Sequence, residues 1–205
     1  MPRSCCASSW GSLDKSTQDF LIAAVDAAAA YWQDEDQGIW EIRGPARRYL
    51  HSALMSWVAL DRGIALADLI GADTQVERWT CVRDDIRTAI LTQGWNADIG
   101  AFTQVFGGSD LDASTLLIAL VGILPADDIR LHSTITAIIA GLSDHRGLLY
   151  RYRSNDGLGG EEGTFLLCTF GWPKRWPSPA VLGRPSASCG WRPVARPIWA
   201  CWPNR

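Results

Sequence analysis

Residues Gly38 to Leu66 read GIWEIRGPARRYLHSALMSWVALDRGIAL, and this stretch joins a short loop to a long helical pattern. The loop, Gly38 to Gly44, is bounded by glycines and holds one acid, Glu41, between an indole and a guanidinium. A carboxyl group beside an aromatic ring suits carbohydrate chemistry. The indole face packs on the apolar face of a sugar ring, and the low dielectric beside it favours the neutral acid. The alternative interpretation is an exposed loop acid without a chemical role.

Helical periodicity extends from this stretch in both directions. Apolar residues recur at steps of three and four, which is the spacing of one face of a helix. The pattern predicts helices over residues 15–33, 49–70, 74–93, 112–124 and 129–143, and a sixth that starts near Glu161. Gly71 is predicted to end the second of these helices.

The connections between these helices are of two kinds. Short turns at 71–73 and 125–128 alternate with long loops rich in Gly, Trp, Asp and Arg at 34–48, 95–111 and 144–160. Short turns on one side and long loops on the other are typical of helical hairpins with a functional face. We therefore predict an all-α fold of about six helices in hairpins, followed by an irregular C-terminal tail.

Charge and cysteine usage exclude several classes of protein. The formal net charge is -3, and the residues beyond Phe170 include six cations and no acid, so the body of the chain is more acidic than the total. An acidic body argues against a nucleic-acid partner. No apolar run is long enough to span a membrane, and the N-terminus lacks a signal-peptide core, so we expect a cytoplasmic location. The cysteines and histidines have no metal-ligand spacing, and no metal or other cofactor is expected.

Several separated strings resemble, in the same order, the bacterial glycoside hydrolases of family 15, the glucoamylase and trehalase group. They are Gly38–Leu66, Gly100–Gln104, Leu111–Ser114, Leu149–Arg153 and Gly160–Phe170. The resemblance covers about residues 13–170. It implies an (α/α)6 toroid, in which helices surround a central pit, and the six helices here would make a partial toroid. A partial toroid would leave apolar helix faces open.

The same resemblance implies roles for individual residues. Glu41 is the general acid that protonates the leaving oxygen, and Trp40 and Arg43 flank it in the first sugar subsite. Arg151 resembles the arginine of the family's Arg-Tyr motif, which binds glucose hydroxyls in the same first subsite, and Asp156 resembles the acid that shares this role. Arginine forks and carboxylates suit vicinal diols, because each offers two hydrogen bonds in one plane. A surface network is the alternative role for these last two residues.

The implied activity is that of an inverting α-glucosidase acting on trehalose or on the non-reducing end of α-glucans. Such enzymes pair the acid with a base carboxylate roughly 6.5–9.5 Å away. The family's base lies beyond the position of Phe170. The pair Glu161 and Glu162 matches a helix start instead, where acids are favourable without catalysis. We therefore expect the chain as written to be weakly active or inactive.

The sequence changes character after Phe170. Residues 171–205 hold five tryptophans, many prolines and no helical period. A one-nucleotide slip after the codon of Phe170 would explain this, because the shifted frame permits W-L-A-E-A-L-A-L-A-G-R, which continues the sixth helix. A Pro-rich docking tail is the alternative. We divide the chain into an N-terminal segment of uncertain origin (1–13), a partial toroid domain (14–170) and a frameshifted tail (171–205).

Other functions fit parts of the sequence. A non-catalytic carbohydrate-binding or helical interaction module would use the Trp-rich loops for binding alone. A terpene cyclase or prenyltransferase on an α-toroid would need acidic clusters for diphosphate and metal, and the pairs Asp84-Asp85 and Asp127-Asp128 are isolated.

Overall fold

Three long helices in the first half of the chain form the main packing unit. The computed structural model describes residues 13–153, 163–165 and 168. Helix α1 spans Lys15–Tyr31, α2 spans Leu50–Ala65, a single turn α3 spans Ala67–Ile70, and α4 spans Val76–Gln93. Helix α2 packs against both α1 and α4. The first and third predicted helices are therefore confirmed in place.

The second predicted helix is interrupted, which corrects the expectation of one helix over 49–70. Leu66 leaves the helical conformation with φ -102° and ψ 3°, and α3 begins directly after it. Its N–H is still bonded to the carbonyls of Arg62 at 3.0 Å and Gly63 at 3.2 Å, so the chain turns without losing a donor. Gly71 ends α3 at φ 70°, the left-handed conformation that glycine adopts at helix ends.

The loop at 95–111 contains a small hairpin that the sequence did not indicate. Strands β1, Trp95–Asn96, and β2, Ala101–Phe102, are antiparallel and pair Trp95 with Phe102 and Asn96 with Ala101. Two-residue strands carry no alternation that could be read from sequence. The turn is fixed by the Asn96 side chain, which accepts hydrogen bonds from the N–H groups of Asp98 and Ile99 at 3.0 and 3.1 Å.

The predicted helix over 112–124 is also corrected. A 3-10 turn spans Ala113–Leu117, and only the short helix α5, Ile118–Val121, is α-helical. Side chains cause the tighter start: the Asp112 carboxylate accepts from the N–H of Ser114 at 2.7 Å, and the Thr115 hydroxyl donates to the Asp112 carbonyl at 2.8 Å. Gly122 then ends the segment at φ 84°.

Helix α6, Ile129–Leu142, closes the described fold and confirms the fifth predicted helix. It packs against β2 and the 3-10 turn. Two apolar clusters result, a large one around α1, α2 and α4 and a small one made by α6, the 3-10 turn and the segment at Leu149. The fully buried large side chains of the first cluster include Trp79, Leu50, Leu54, Leu60, Ile86, Ile90 and Phe102. Within the described part of the chain, no helix combines the length and apolar character that crossing a membrane requires.

Three sequence predictions concern residues that the structure does not describe. The sixth helix from Glu161, the tail at 171–205 and most of the N-terminal segment lie outside the described residues.

Candidate active site

The loop around Glu41, which we call the acid loop (Gly38 to Gly44), is held at its base by backbone bonds. Asp36 and Arg47 exchange two N–H to carbonyl hydrogen bonds of 3.0 Å, and the N–H of Ile42 donates to the Gln37 carbonyl at 3.0 Å. Gly38 lies so close to the Tyr49 ring that an added Cβ would be 2.7 Å from it, at a φ of 66°. Only glycine fits this position, so the loop starts from a fixed point.

Glu41 occupies an unusual backbone conformation at the tip of this loop. Its φ is 50°, and among the described residues it is the non-glycine with a positive φ. A non-glycine residue in this region costs about 1–3 kcal/mol, which the surrounding structure must offset. Its side chain is exposed, so the carboxyl group can be reached from solvent. The sequence predicted an acid shielded by its aromatic neighbour, whereas this side chain is exposed.

The indole of Trp40 contacts residues that are distant in the sequence. Its Nε1–H lies 3.0 Å from both carboxylate oxygens of Asp112. Its ring meets Phe165 edge-on, with centroids 5.7 Å apart. The indole is therefore oriented by one polar contact at its edge and by one aromatic contact.

Arg151 lies against the same indole. Its guanidinium carbon is 5.6 Å from the Trp40 ring centroid, 5.6 Å from that of Tyr152 and 6.0 Å from that of Phe165. Guanidinium groups are attracted to the faces of aromatic rings at this range. The structure thus brings together Trp40 and Arg151, two residues that the sequence analysis assigned to one sugar subsite.

Asp112 is the centre of this arrangement and was missed as a site residue. It is 2 % exposed, and it also accepts a hydrogen bond from Gln104 Nε2 at 3.1 Å. The sequence analysis placed it only at the first position of the predicted helix over 112–124. Its presence in the string Leu111–Ser114, one of those that carried the resemblance, was the signal that could have identified it.

Burial shifts three titratable groups around Asp112. Desolvation lowers the pKa of His51, although Asp112 and Asp36 oppose this shift. Desolvation raises the pKa of Tyr49, and it raises the pKa of Cys168 to about 11, with Asp112 adding to both effects. Each of these groups is therefore uncharged at neutral pH, and none of them supplies a cation to the carboxylate.

The other predicted site residues are less informative. Arg43 lies exposed on the acid loop, and Asp156 lies outside the described residues. Glu161 and Glu162 also lie outside them. No group of three His, Cys, Asp or Glu side chains suited to a metal ion occurs in the described ranges.

A family model and individual relatives point to the same protein family. A sequence model of the glycosyl hydrolases family 15 matches residues 8–174. The chain is 43% identical over 153 residues to a trehalase of Mycobacterium tuberculosis, a match that covers 73% of this chain and 22% of that protein. It is 32% identical over 164 residues to a trehalase of Thermoplasma volcanium, covering 80% of this chain and 26% of the relative.

Solved structures agree at the level of the fold. A wild-type glycosidase matches with a TM-score of 0.62 at 21% identity, over 72% of this chain and 38% of the other. A glycosidase variant in complex with glucose matches with a TM-score of 0.56 at 20% identity, over 64% and 34% of the two chains. These matches confirm the expectation of an all-α fold that forms part of an (α/α)6 toroid.

The chain spans about a quarter of the length of the curated relatives that it matches. The family match nevertheless covers most of the chain, including the acid loop, Asp112 and Arg151. The chain belongs to the glycosyl hydrolases of family 15.

Proposed function

We propose that this chain carries the general-acid side of an inverting α-glucosidase. Glu41 is the general acid, Trp40 and Arg151 hold the sugar whose bond is broken, and Arg43 and Asp156 add contacts to its hydroxyls. The observation that carries the proposal is the proximity of the Arg151 guanidinium to the indole of Trp40, the residue that precedes Glu41 in the chain, because a planar donor and an indole together form a surface for one sugar ring.

The chemistry assigned to Glu41 requires access and a proton. The carboxyl group is exposed at the loop tip, so a glycosidic oxygen can approach it. In an inverting reaction the acid gives its proton to that oxygen, while a second carboxylate removes a proton from the attacking water. We assign this base to a part of the parent enzyme that these 205 residues do not include. The chain by itself is therefore expected to turn over substrate slowly or not at all.

We propose trehalose, rather than an α-glucan, as the substrate, because of the names of the relatives. The relatives described above carry the name trehalase, and one of them is 43% identical to this chain over 153 residues. A first sugar subsite built from Trp40 and Arg151 would serve either substrate, because both present a terminal α-linked glucose.

The test is glucose release from trehalose and from maltose by the full 205-residue chain, followed by NMR of the anomeric protons. Each trehalose cleaved with inversion should give one β-glucose and one α-glucose, the α-anomer being the leaving sugar, and the sugar released from the non-reducing end of maltose should appear first as the β-anomer. Glu41→Gln should reduce the rate by about 10²–10⁴-fold, the usual contribution of general acid catalysis. Glu35→Gln, an exposed acid near the loop, is the matched control and should keep the wild-type rate. Equal and measurable rates for the wild type and Glu41→Gln would exclude Glu41 as the acid.

We also propose a cytoplasmic location. We further propose the domain division made from the sequence, with a partial toroid over 14–170 and a frameshifted tail over 171–205. Resequencing the coding DNA from the codon of Leu166 tests the division. A one-base correction that restores W-L-A-E-A-L-A supports it, and a confirmed reading frame contradicts it.

A further inference from the structure

We propose that Asp112 is a positioning residue, whose carboxylate holds the Trp40 indole and through it the acid loop. The role in sugar binding rests on the function proposed above, whereas the hydrogen bond between the two residues does not.

The first argument is that the Trp40 indole N–H is bonded to a buried carboxylate. Trp40 Nε1 lies 3.0 Å from both carboxylate oxygens of Asp112, across 72 residues of sequence. Asp112 is 2 % exposed, so water competes little for these bonds. A charge-assisted hydrogen bond in such a site is stronger than one at the surface.

The second argument is that a carboxylate fits this position better than an amide. Within the described ranges, each group that hydrogen-bonds to the Asp112 carboxylate is a donor: the Trp40 indole, the Gln104 amide at 3.1 Å and the Ser114 N–H at 2.7 Å. An ionised carboxylate only accepts, and an indole only donates. An asparagine at this position has one acceptor oxygen in place of two and no charge, so the bond to the indole is weaker even when the Gln104 amide rotates to accept from the asparagine NH2 group.

The third argument is the place of Asp112 in the backbone. The N–H of Ala113 donates to the Arg151 carbonyl at 2.8 Å, and Asp112 forms a bridge with Tyr152. The same residue therefore aligns the segment that carries Arg151 and, through its side chain, the indole on which Arg151 lies. Moving the indole would separate the two and would displace Glu41, the next residue in the loop.

The experiment is 1H–15N NMR of the indole N–H groups in the full chain, with the Trp40 resonance assigned by its loss in Trp40→Phe. Trp79 provides an internal control, because its Nε1–H donates to Asp26 at 2.8 Å in a separate part of the fold. We expect Asp112→Asn to shift the Trp40 resonance and leave that of Trp79 in place, and Asp26→Asn to do the reverse. A Trp40 resonance unchanged in Asp112→Asn overturns the proposal.

Asp112→Asn alone could perturb folding, and a displaced Trp79 resonance would reveal this. A double variant that exchanges the carboxylate and the amide, which we call the swap, then decides the test. When Asp112→Asn is combined with Gln104→Glu, the asparagine amide donates to the newly introduced carboxylate, and the asparagine oxygen accepts from the indole. The swap should return the Trp40 resonance towards its wild-type position. Failure of the swap to restore it in a chain with a normal Trp79 resonance counts against the proposal.

Titration with glucose separates the role from the proposed function. We expect glucose to shift the wild-type Trp40 resonance, Asp112→Asn to weaken its affinity about tenfold or more, and the swap to recover most of the loss. Wild-type affinity in Asp112→Asn overturns the positioning role and leaves the sugar site intact. If glucose does not shift the Trp40 resonance of the wild type, the proposed sugar site is overturned. The shift of this resonance in Asp112→Asn still tests the hydrogen bond between Asp112 and Trp40.

Discussion

At the scale of single residues, the backbone of Glu41 has a φ of 50°, a conformation that glycine and asparagine adopt more easily than glutamate. Strain of this kind concentrates at functional positions, where the surrounding structure enforces it. The acid loop has such an anchor in Gly38, which lies against the Tyr49 ring. We therefore interpret the strain as the consequence of presenting the carboxyl group to solvent.

Substitutions at Glu41 that remove this backbone strain should stabilise the chain, although they also remove the carboxyl group. We expect Glu41→Gly and Glu41→Asn to raise the free energy of unfolding by about 1 kcal/mol relative to Glu41→Gln, which keeps the strained side chain. Urea unfolding measures the difference. At Glu35, where φ is not positive, the change to glycine should instead destabilise relative to Glu35→Gln. Identical stabilities for the three Glu41 variants would show that the loop does not enforce the conformation.

His51 should make stability depend on pH. Its folded pKa lies below the ordinary value of 6.5, so near and below that pH the unfolded chain binds a proton that the folded chain does not. The free energy of unfolding therefore falls as pH drops below about 6.5. His51→Gln should flatten this part of the profile, measured by urea unfolding between about pH 5.5 and pH 7.5. The lowered pKa of Asp128 acts only at more acidic pH. The same slope in both proteins would contradict the assignment.

The resemblance assigned Trp40 and Arg151 to one sugar subsite, and the structure places the two side chains in contact. Their role in binding sugar stays a prediction, and the residue that orients the indole was missed. Asp112 was overlooked because an acid before a helical pattern has a sufficient local explanation as a cap. Its contact with Trp40 spans 72 residues and leaves no local pattern.

At the scale of elements, the packing of α1 on α2 depends on one glycine. Gly63 lies within the pattern of α2, where alanine would normally be favoured by about 1 kcal/mol. An added Cβ would be 2.7 Å from a methyl group of Val25 on α1. Valine is stiff at χ1 and buried here, so it cannot simply turn away.

Gly63→Ala should therefore destabilise the chain, by about 1–3 kcal/mol, against the intrinsic helix preference. Val25→Ala makes room for the new methyl group, so the double variant should recover part of the loss relative to Val25→Ala alone. A double-mutant cycle in urea measures the coupling between the two positions. A Gly63→Ala variant more stable than the wild type would show that the two helices are not in close contact.

The long helices were predictable because their apolar period repeats over several turns. The break at Leu66 and the 3-10 turn at Ala113–Leu117 were not, since each arises from hydrogen bonds that the period does not encode. In the turn, Asp112 and Thr115 compete with the α-helical pattern for backbone groups.

At the scale of the whole molecule, α1 is apolar on both of its faces. One face packs on the main cluster through Leu21, Ile22 and Val25. The opposite face exposes Phe20 at 70% and Tyr31 at 66%, with Ala23, Ala24, Ala27 and Ala30 between them. A helix that is apolar all round is normally covered by other elements. This agrees with the open helix faces expected of a partial toroid.

The exposed face of α1 should cause self-association. We expect sedimentation velocity to show oligomers or aggregates of the wild type. Phe20→Glu with Tyr31→Glu should shift the chain towards monomer and change the free energy of unfolding by no more than about 0.5 kcal/mol. Gln33→Glu with Ser109→Glu adds the same charge at exposed polar positions and should not reduce association. A monomeric wild type with a sharp thermal transition would contradict this interpretation.

The central claim is that the acid loop and Arg151 form a sugar site, and calorimetric titration with trehalose tests it most directly. Arg151→Met removes the guanidinium that lies on Trp40, whereas Arg153→Met removes a neighbour that stacks on Tyr150 with its guanidinium carbon 4.5 Å from the ring centroid. We predict that the wild type and Arg153→Met bind trehalose with similar affinity and that Arg151→Met loses about tenfold or more. Equal affinities for the two variants, or no binding by the wild type, would contradict the account.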